Sequence, residues 1–310
     1  MKIILTTILL TFLSLKSFTQ DYQTIIGEAE KAKESKDYKT AMALYEKAFA
    51  TGKSTNLDFM RASSTSVNAT DNDKAFFYLN KAIDNGWDSF DFLPKIESFK
   101  VLYSDKRWNE VLEKCKGIKE KELKSVKYPA LIPKLDSMYK VDQDARTGSS
   151  KLMNEKRTDS PEYKAIRQLG MKVDSLNMIE LKKIYTQYGF LGFDKVGKMG
   201  SDNFWLLLQH CDRDVTFQEE VLGAMKKELD LKNANPKNYA YLIDRVKVNT
   251  KQLQIYGTQA QVNKDRTSYE PKPVIDPENL NKRRLGVGLE SIESYMNTMN
   301  EVYKGSLNKK

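Results

Sequence analysis

Hydrophobic side chains recur along most of this chain at spacings of three and four, the period that lines one side of an α-helix. Two short stripes come first, "DYKTAMALYEKAFA" from Asp37 and "DNDKAFFYLNKAID" from Asp71, and then a third apolar stretch, "FDFLPKIESFKVLYSDKRWNEVLEK". After a lysine-rich interval, "PKLDSMYKVDQDAR" carries Leu135, Met138 and Tyr139 on one face. In "DSLNMIELKKIYTQYGF" the face is Met178, Leu181, Ile184, Tyr185 and Tyr188, and in "NYAYLIDRVKVN" it is Tyr239, Leu242, Ile243 and Val246. Residues 203–213 and "TFQEEVLGAMKKEL" read as two further helices. Only "QLQIYGTQAQV" alternates; with Gly257 inside it, and "NKDR" and "TSYEPKPV" behind it, it predicts a small hairpin. The expected fold class is mainly α with a small β-hairpin.

Turn and cap residues place the ends of these elements. Pro133 suits the first turn of a helix. Asp174 reads as an N-cap and Gly189 as a helix stop, and the glycines of "GFLGFDKVGKMG" predict a loop. Thr216 followed by Glu219 has the form of a capping box, which puts a break near Arg213.

The two leading stripes are also a repeat. A shift of 34 residues carries Asp37 onto Asp71, Ala41 onto Ala75, Tyr45 onto Leu79 and Ala48 onto Ala82. Small, large and small residues at that period resemble the tetratricopeptide repeat, in which two antiparallel helices approach through small side chains. Ala29 and Ala32 supply the small positions of the preceding helix; their counterparts are Ser63 and Ser66, and the third unit loses the alanines as a terminal cap would. The resemblance implies a helical-repeat domain over 21–116, with a groove for a protein or peptide partner. A plain helical spacer fits the same residues equally well.

The first twenty residues, "MKIILTTILLTFLSLKSFTQ", change the expected compartment. One early lysine, an apolar run from Ile3 to Leu15 and small or polar residues after it have the layout of a signal peptide over 1–19, cleaved after Thr19. The run is shorter than the roughly 17 to 25 residues of a membrane span. The expectation is therefore an exported bacterial protein, periplasmic or extracellular, with no integral membrane span once the leader is removed. Loss of Lys2 and Lys16 lowers the formal charge from +9 by two, to +7. The 51 Lys and Arg are interleaved with 42 Asp and Glu, so a nucleic-acid partner is not expected. The one local excess, "KCKGIKEKELKSVK", reads as a solvated linker over 117–127 ahead of a second domain over 128–310. Cys115 and Cys211 are too few for a disulfide framework, and with a single histidine they leave no zinc-site spacing, so no metal and no cofactor is expected.

Candidate chemistry is confined to the second domain. The stripe through Leu135 continues at helical spacing into Asp142 and Arg146, so the two charges are paired with each other, aimed at a pocket, or emerging into water. His210 follows a leucine run and stands about 140° around the helix from Trp205, and Asp212 faces away from it while the helix lasts. Asp244 and Arg245 share the polar side of their helix, where a solvated salt bridge is the plain reading. No serine lies in a nucleophile elbow, and no phosphate-cradling glycine motif is present.

"DQDAR" (142–146), "FWLLLQHCDRDVTFQ", "AYLIDRVKVN", "QIYGTQ" and "DPENLNKRRLGVGL", in that order, resemble an uncharacterised bacterial domain family, found alone or behind tetratricopeptide repeats; the likeness runs over most of 128–305. The resemblance implies that Asp142, Gln143, Arg146, Gln209, His210, Asp212, Asp244, Arg245, Tyr256 and Gln259 belong to the family's pattern. Cys211 falls where the family varies, which argues against a cysteine nucleophile. From four segments these residues can meet in one pocket. The leading expectation is an envelope binding or scaffolding protein with Asp142, Gln143, Arg146, Gln209, Asp244, Tyr256 and Gln259 holding a polar ligand. The alternative is a hydrolase with His210 as general base, supported by Asp212 and Arg245.

Overall fold

The structure is a computed structural model of the chain and describes residues 22, 24–52, 54–87 and 90–307. The expected leader over 1–19 and its cleavage after Thr19 lie outside the described residues. The chain is mainly α-helical with one two-stranded hairpin, and it divides into two compact units that meet between Lys121 and Glu122.

The first unit contains α1 (24–34), α2 (Tyr38–Phe49), α3 (Asn56–Asn68) and α4 (Asn72–Asp84), two 3-10 turns (Phe90–Lys95 and Glu97–Leu102), and most of α5 (Lys106–Ser125). The segments related by the 34-residue shift occupy matching places. Asp37 and Asp71 both cap a helix, accepting from the N–H groups of Thr40 (3.1 Å) and Lys74 (2.9 Å). Ala41, Tyr45, Ala48, Ala75, Leu79 and Ala82 are all fully buried. Ser63 and Ser66 are buried too, and their hydroxyls donate to the carbonyls of Ala75 (2.7 Å) and Ala62 (2.8 Å), which removes the cost of burying them. The third unit departs from the pattern: its first helix is replaced by the 3-10 turns, which contain Pro94 and bury Leu93, Phe99 and Leu102.

The lysine-rich segment 117–127 is helical as far as Ser125, where α5 ends, and the boundary between the two units falls inside it. Lysine and glutamate are good helix formers, and a solvated charged run needs no other conformation.

The second unit contains α6 (Ile132–Asn154), α7 (Pro161–Tyr188), α8 (Phe193–Gln209), α9 (Val215–Asp230), α10 (Pro236–Asn249), β1 (Ala260–Val262) paired antiparallel with β2 (Tyr269–Pro271), α11 (Leu280–Gly286) and α12 (Ile292–Leu307). Its core is where α6 to α10 meet, around Leu135, Leu181, Ile184, Phe204, Leu208, Val221 and Leu242. Among the described residues no helix is long and apolar enough to cross a membrane.

Three boundaries differ from expectation. Asp174 is not a cap: α7 begins thirteen residues earlier under Ser160, whose hydroxyl accepts from the Tyr163 N–H, so Asp174 projects from mid-helix. The glycine-rich segment is mostly taken into α8, which Gly197 kinks at φ 71°; the Lys198 N–H after the kink donates to Glu122 Oε1 (2.8 Å). Helix α8 ends at Gln209, and the cap of α9 is Asp214, accepting from the Phe217 N–H (3.0 Å), in place of Thr216.

Candidate functional site

Helices α6 and α7 run antiparallel, Lys134 pairing with Glu180 at one level and Arg146 with Asp174 at another. The apolar stripe of α6 does carry into Asp142, whose side chain is 1% exposed. Its carboxylate accepts from Arg146 Nε (3.1 and 3.2 Å), Arg146 Nη2 (3.1 Å) and Gln143 Nε2 (2.6 Å). Arg146 Nη2 also donates to Asp174 Oδ1 on α7 (2.6 Å), so one guanidinium bridges the two carboxylates.

His210 completes the cluster from α8. It is the residue at which that helix stops, with φ −95° and ψ 5°, and its Nδ1 lies 3.0 Å from Asp142 Oδ1. An ionised carboxylate only accepts, so Nδ1 carries a proton, and Nε2 is the nitrogen left free to exchange one. The His210 side chain remains 15% exposed.

The carboxylates sit in opposed environments. Burial works to raise Asp142, but hydrogen bonds from His210 and Arg146 outweigh it and hold its pKa at about 2. Burial raises Asp174 above the ordinary carboxyl value, with the facing Asp142 charge adding to the rise and Arg146 and His210 opposing it. One turn from Asp174, Asn177 is buried with its amide nitrogen unpartnered.

The other expected site residues go elsewhere. Asp212 pairs with Arg245 (2.6 and 2.7 Å) and accepts from Asn249 Nδ2 (2.8 Å); despite burial, Arg245 keeps its carboxyl below the ordinary value. Gln209 is buried within 3.1 Å of two donors, the Leu242 N–H and Trp205 Nε1, so its amide oxygen ties α8 to α10.

Asp244 does not pair with Arg245 and does not face solvent. It is fully buried and accepts from the backbone N–H groups of Ile255 (2.7 Å), Tyr256 (3.0 Å) and Thr258 (2.9 Å) and from the Thr258 hydroxyl (3.0 Å). Gln259 supports the same loop: its N–H donates to Gln254 Oε1 (2.7 Å), and its carbonyl accepts from Gln254 Nε2 (3.0 Å). The Tyr256 carbonyl accepts from Arg284 Nη1 (2.6 Å), and Arg284, 1% exposed, lies over the Tyr295 ring. Asp244 thus spends its side chain on fixing a loop to which Tyr256 and Gln259 contribute backbone groups, while the Gln259 amide donates to the Thr258 hydroxyl (3.2 Å).

Asp142, Asp174 and His210 each offer one donor atom within 4.8 Å of the others, the set among the described residues that could hold a metal ion. Arg146 already places a cation between the two carboxylates, and coordination would require it to leave and the donors to close in. Cys211, next to His210, is buried, and burial pushes its thiol up to about 12, which removes it as a nucleophile. An open depression of about 720 Å³ lies further along α7, lined by Lys182, Tyr185, Asp214, Thr216 and Glu220 among others. Lys182 is two turns from Asp174 on one face, about 12 Å along the axis.

Sequence reasoning missed Asp174 and Asn177. Asp174 looked like a cap because the weakly amphipathic start of α7 hid the true N-terminus, and its spacing to Asn177 and Leu181 was the available signal. No curated protein and no solved structure matches the chain. A family model described as a family of unknown function, DUF6624, matches residues 129–308, and the chain belongs to that family.

Proposed function

We propose that the second unit is a hydrolase-type catalytic domain with His210 as its general base, and that Arg245 and Asp212 stand outside the chemistry. The observation that carries this reading is the 3.0 Å contact between His210 Nδ1 and Asp142 Oδ1, with Asp142 itself gripped by Arg146 and Gln143. A buried, hydrogen-bonded carboxylate of that kind fixes the ring tautomer and stabilises the imidazolium that forms when Nε2 takes a proton. Water is the nucleophile: it loses its proton to Nε2 as its oxygen attacks the scissile centre. Asp174 stands ready with a raised pKa to hold a proton and pass it to the leaving group, so the two carboxylates divide the work by environment.

The setting we propose is outside the cytoplasm, on the strength of the leader-like residues 1–19. The first unit then serves as a tetratricopeptide-like module for a protein partner, supported by the matched burial and caps of the 34-residue repeat.

The test is hydrolysis of a panel of chromogenic esters, amides, phosphoesters and glycosides by the purified protein. His210→Ala and Asp142→Asn are expected to lower kcat/KM by about 10² to 10⁴ at unchanged folding, with Arg245→Ala close to wild type. Activity that survives His210→Ala would remove the histidine from the mechanism. A panel on which the folded parent protein shows no turnover above that variant would sink the reading.

A further inference from the structure

Between Ala145 on α6 and Val173 on α7 no residue is buried. The residues that join these helices to the core all lie on the other side of that limit: Ile132, Leu135, Asp142 and Ala145 on α6, and Val173, Asn177, Leu181 and Ile184 on α7. Residues 146–172 therefore form an α-hairpin arm whose helices pack only on each other, closely enough that a Cβ on Gly148 would meet Ile166. Such an arm gains little from core burial, and helices without a packed face are marginal in water.

The charges on the arm are one-sided. Arg146 is engaged in the His210 cluster, and Arg157 pairs with Glu155 and Glu162. Among the described residues, that leaves Lys151, Lys156, Lys164, Arg167 and Lys172 without an ion-pair partner, against one unpaired carboxylate, Asp159. Met153, Leu169 and Met171 are interleaved with them at 54%, 49% and 45% exposure.

From this we infer that the arm docks on the surface of an anionic lipid bilayer. The excess positive charge opposes a second copy's arm, which would bring the same five cations. It draws the arm toward phosphate headgroups, while the long lysine stems and the thioethers suit the headgroup–acyl boundary. The inference does not depend on His210.

The experiment is co-sedimentation of the full chain with vesicles of phosphatidylcholine containing about one-third phosphatidylglycerol and with vesicles of phosphatidylcholine alone, at low salt and at about 0.5 M salt, where screening confines the attraction to a few ångströms. Binding is expected to the anionic vesicles only and to disappear at high salt. The triple variant Lys151→Ala, Lys164→Ala, Arg167→Ala is expected to bind about a hundredfold more weakly, each cation near such a surface being worth about fivefold. Met153→Ser with Leu169→Ser is expected to weaken binding without changing its dependence on salt. All five positions are at the surface, and circular dichroism is the check that the variants stay folded. Equal binding to both vesicle types, or a triple variant that binds like its parent, overturns the inference. So does retention on DNA or an acidic polypeptide with none on vesicles.

Discussion

A histidine beside a carboxylate behaves according to which ring nitrogen holds the proton, and here Asp142 decides it. That couple was only half legible in the letters. The stripe from Leu135 through Asp142 to Arg146 showed a charge heading inward, but His210 is 68 residues away, and only the packing of α6 against α8 brings them together. The same packing makes Cys211 inert. Burial pushes its thiol to about 12 and that of Cys115 to about 11, so at pH 8 both thiolate fractions are on the order of a tenth of a per cent or less. Titration of the native protein with a chromogenic disulfide reagent at pH 8 is expected to find no fast thiol, and two after unfolding. A fast native thiol would contradict the burial of Cys115 or Cys211.

Helices and hairpin were readable at the level of elements because periodicity reports which face is buried, and those faces are the ones that pack. Boundaries were less readable, since a cap needs only one oxygen in the right place: Thr216 had the sequence form, and Asp214 has the geometry. The loop 254–259 was hardest, because its order comes from a residue on another element. Asp244 takes three backbone N–H groups that have no other partner in the loop. Asp244→Ala removes the acceptor and leaves those donors buried, so it is expected to cost about 3 to 5 kcal/mol, the range for breaking a buried charged network. The check is chemical denaturation. A cost under about 1 kcal/mol would mean that the loop finds water instead, and the structural role assigned to Asp244 would fall.

Across the whole molecule, acid weakens the fold through the same carboxylates that build the site. Asp142 has an ordinary carboxyl pKa when unfolded and about 2 when folded, so its contribution is fully present above the unfolded value. It is lost as pH falls through about 4 to about 2 and amounts to roughly 2 kcal/mol at 1.36 kcal/mol per unit. Asp212 is lowered as well and acts in the same direction, whereas the raised Asp174 acts in the opposite one and relieves part of its cost when it is protonated. A formal charge of +9 grows as carboxylates are neutralised, which adds self-repulsion at the acid end. The expected profile is a plateau near neutrality and a steep decline below about pH 4, read from urea midpoints at successive pH values. Asp142→Asn keeps the size of the side chain but removes the titrating group, so its stability is expected to be lower at pH 7 and to decline less between pH 4 and pH 2. If the variant loses stability over that window as steeply as the parent, Asp142 is not held ionised by His210 and Arg146, and the tautomer that makes Nε2 basic loses its support.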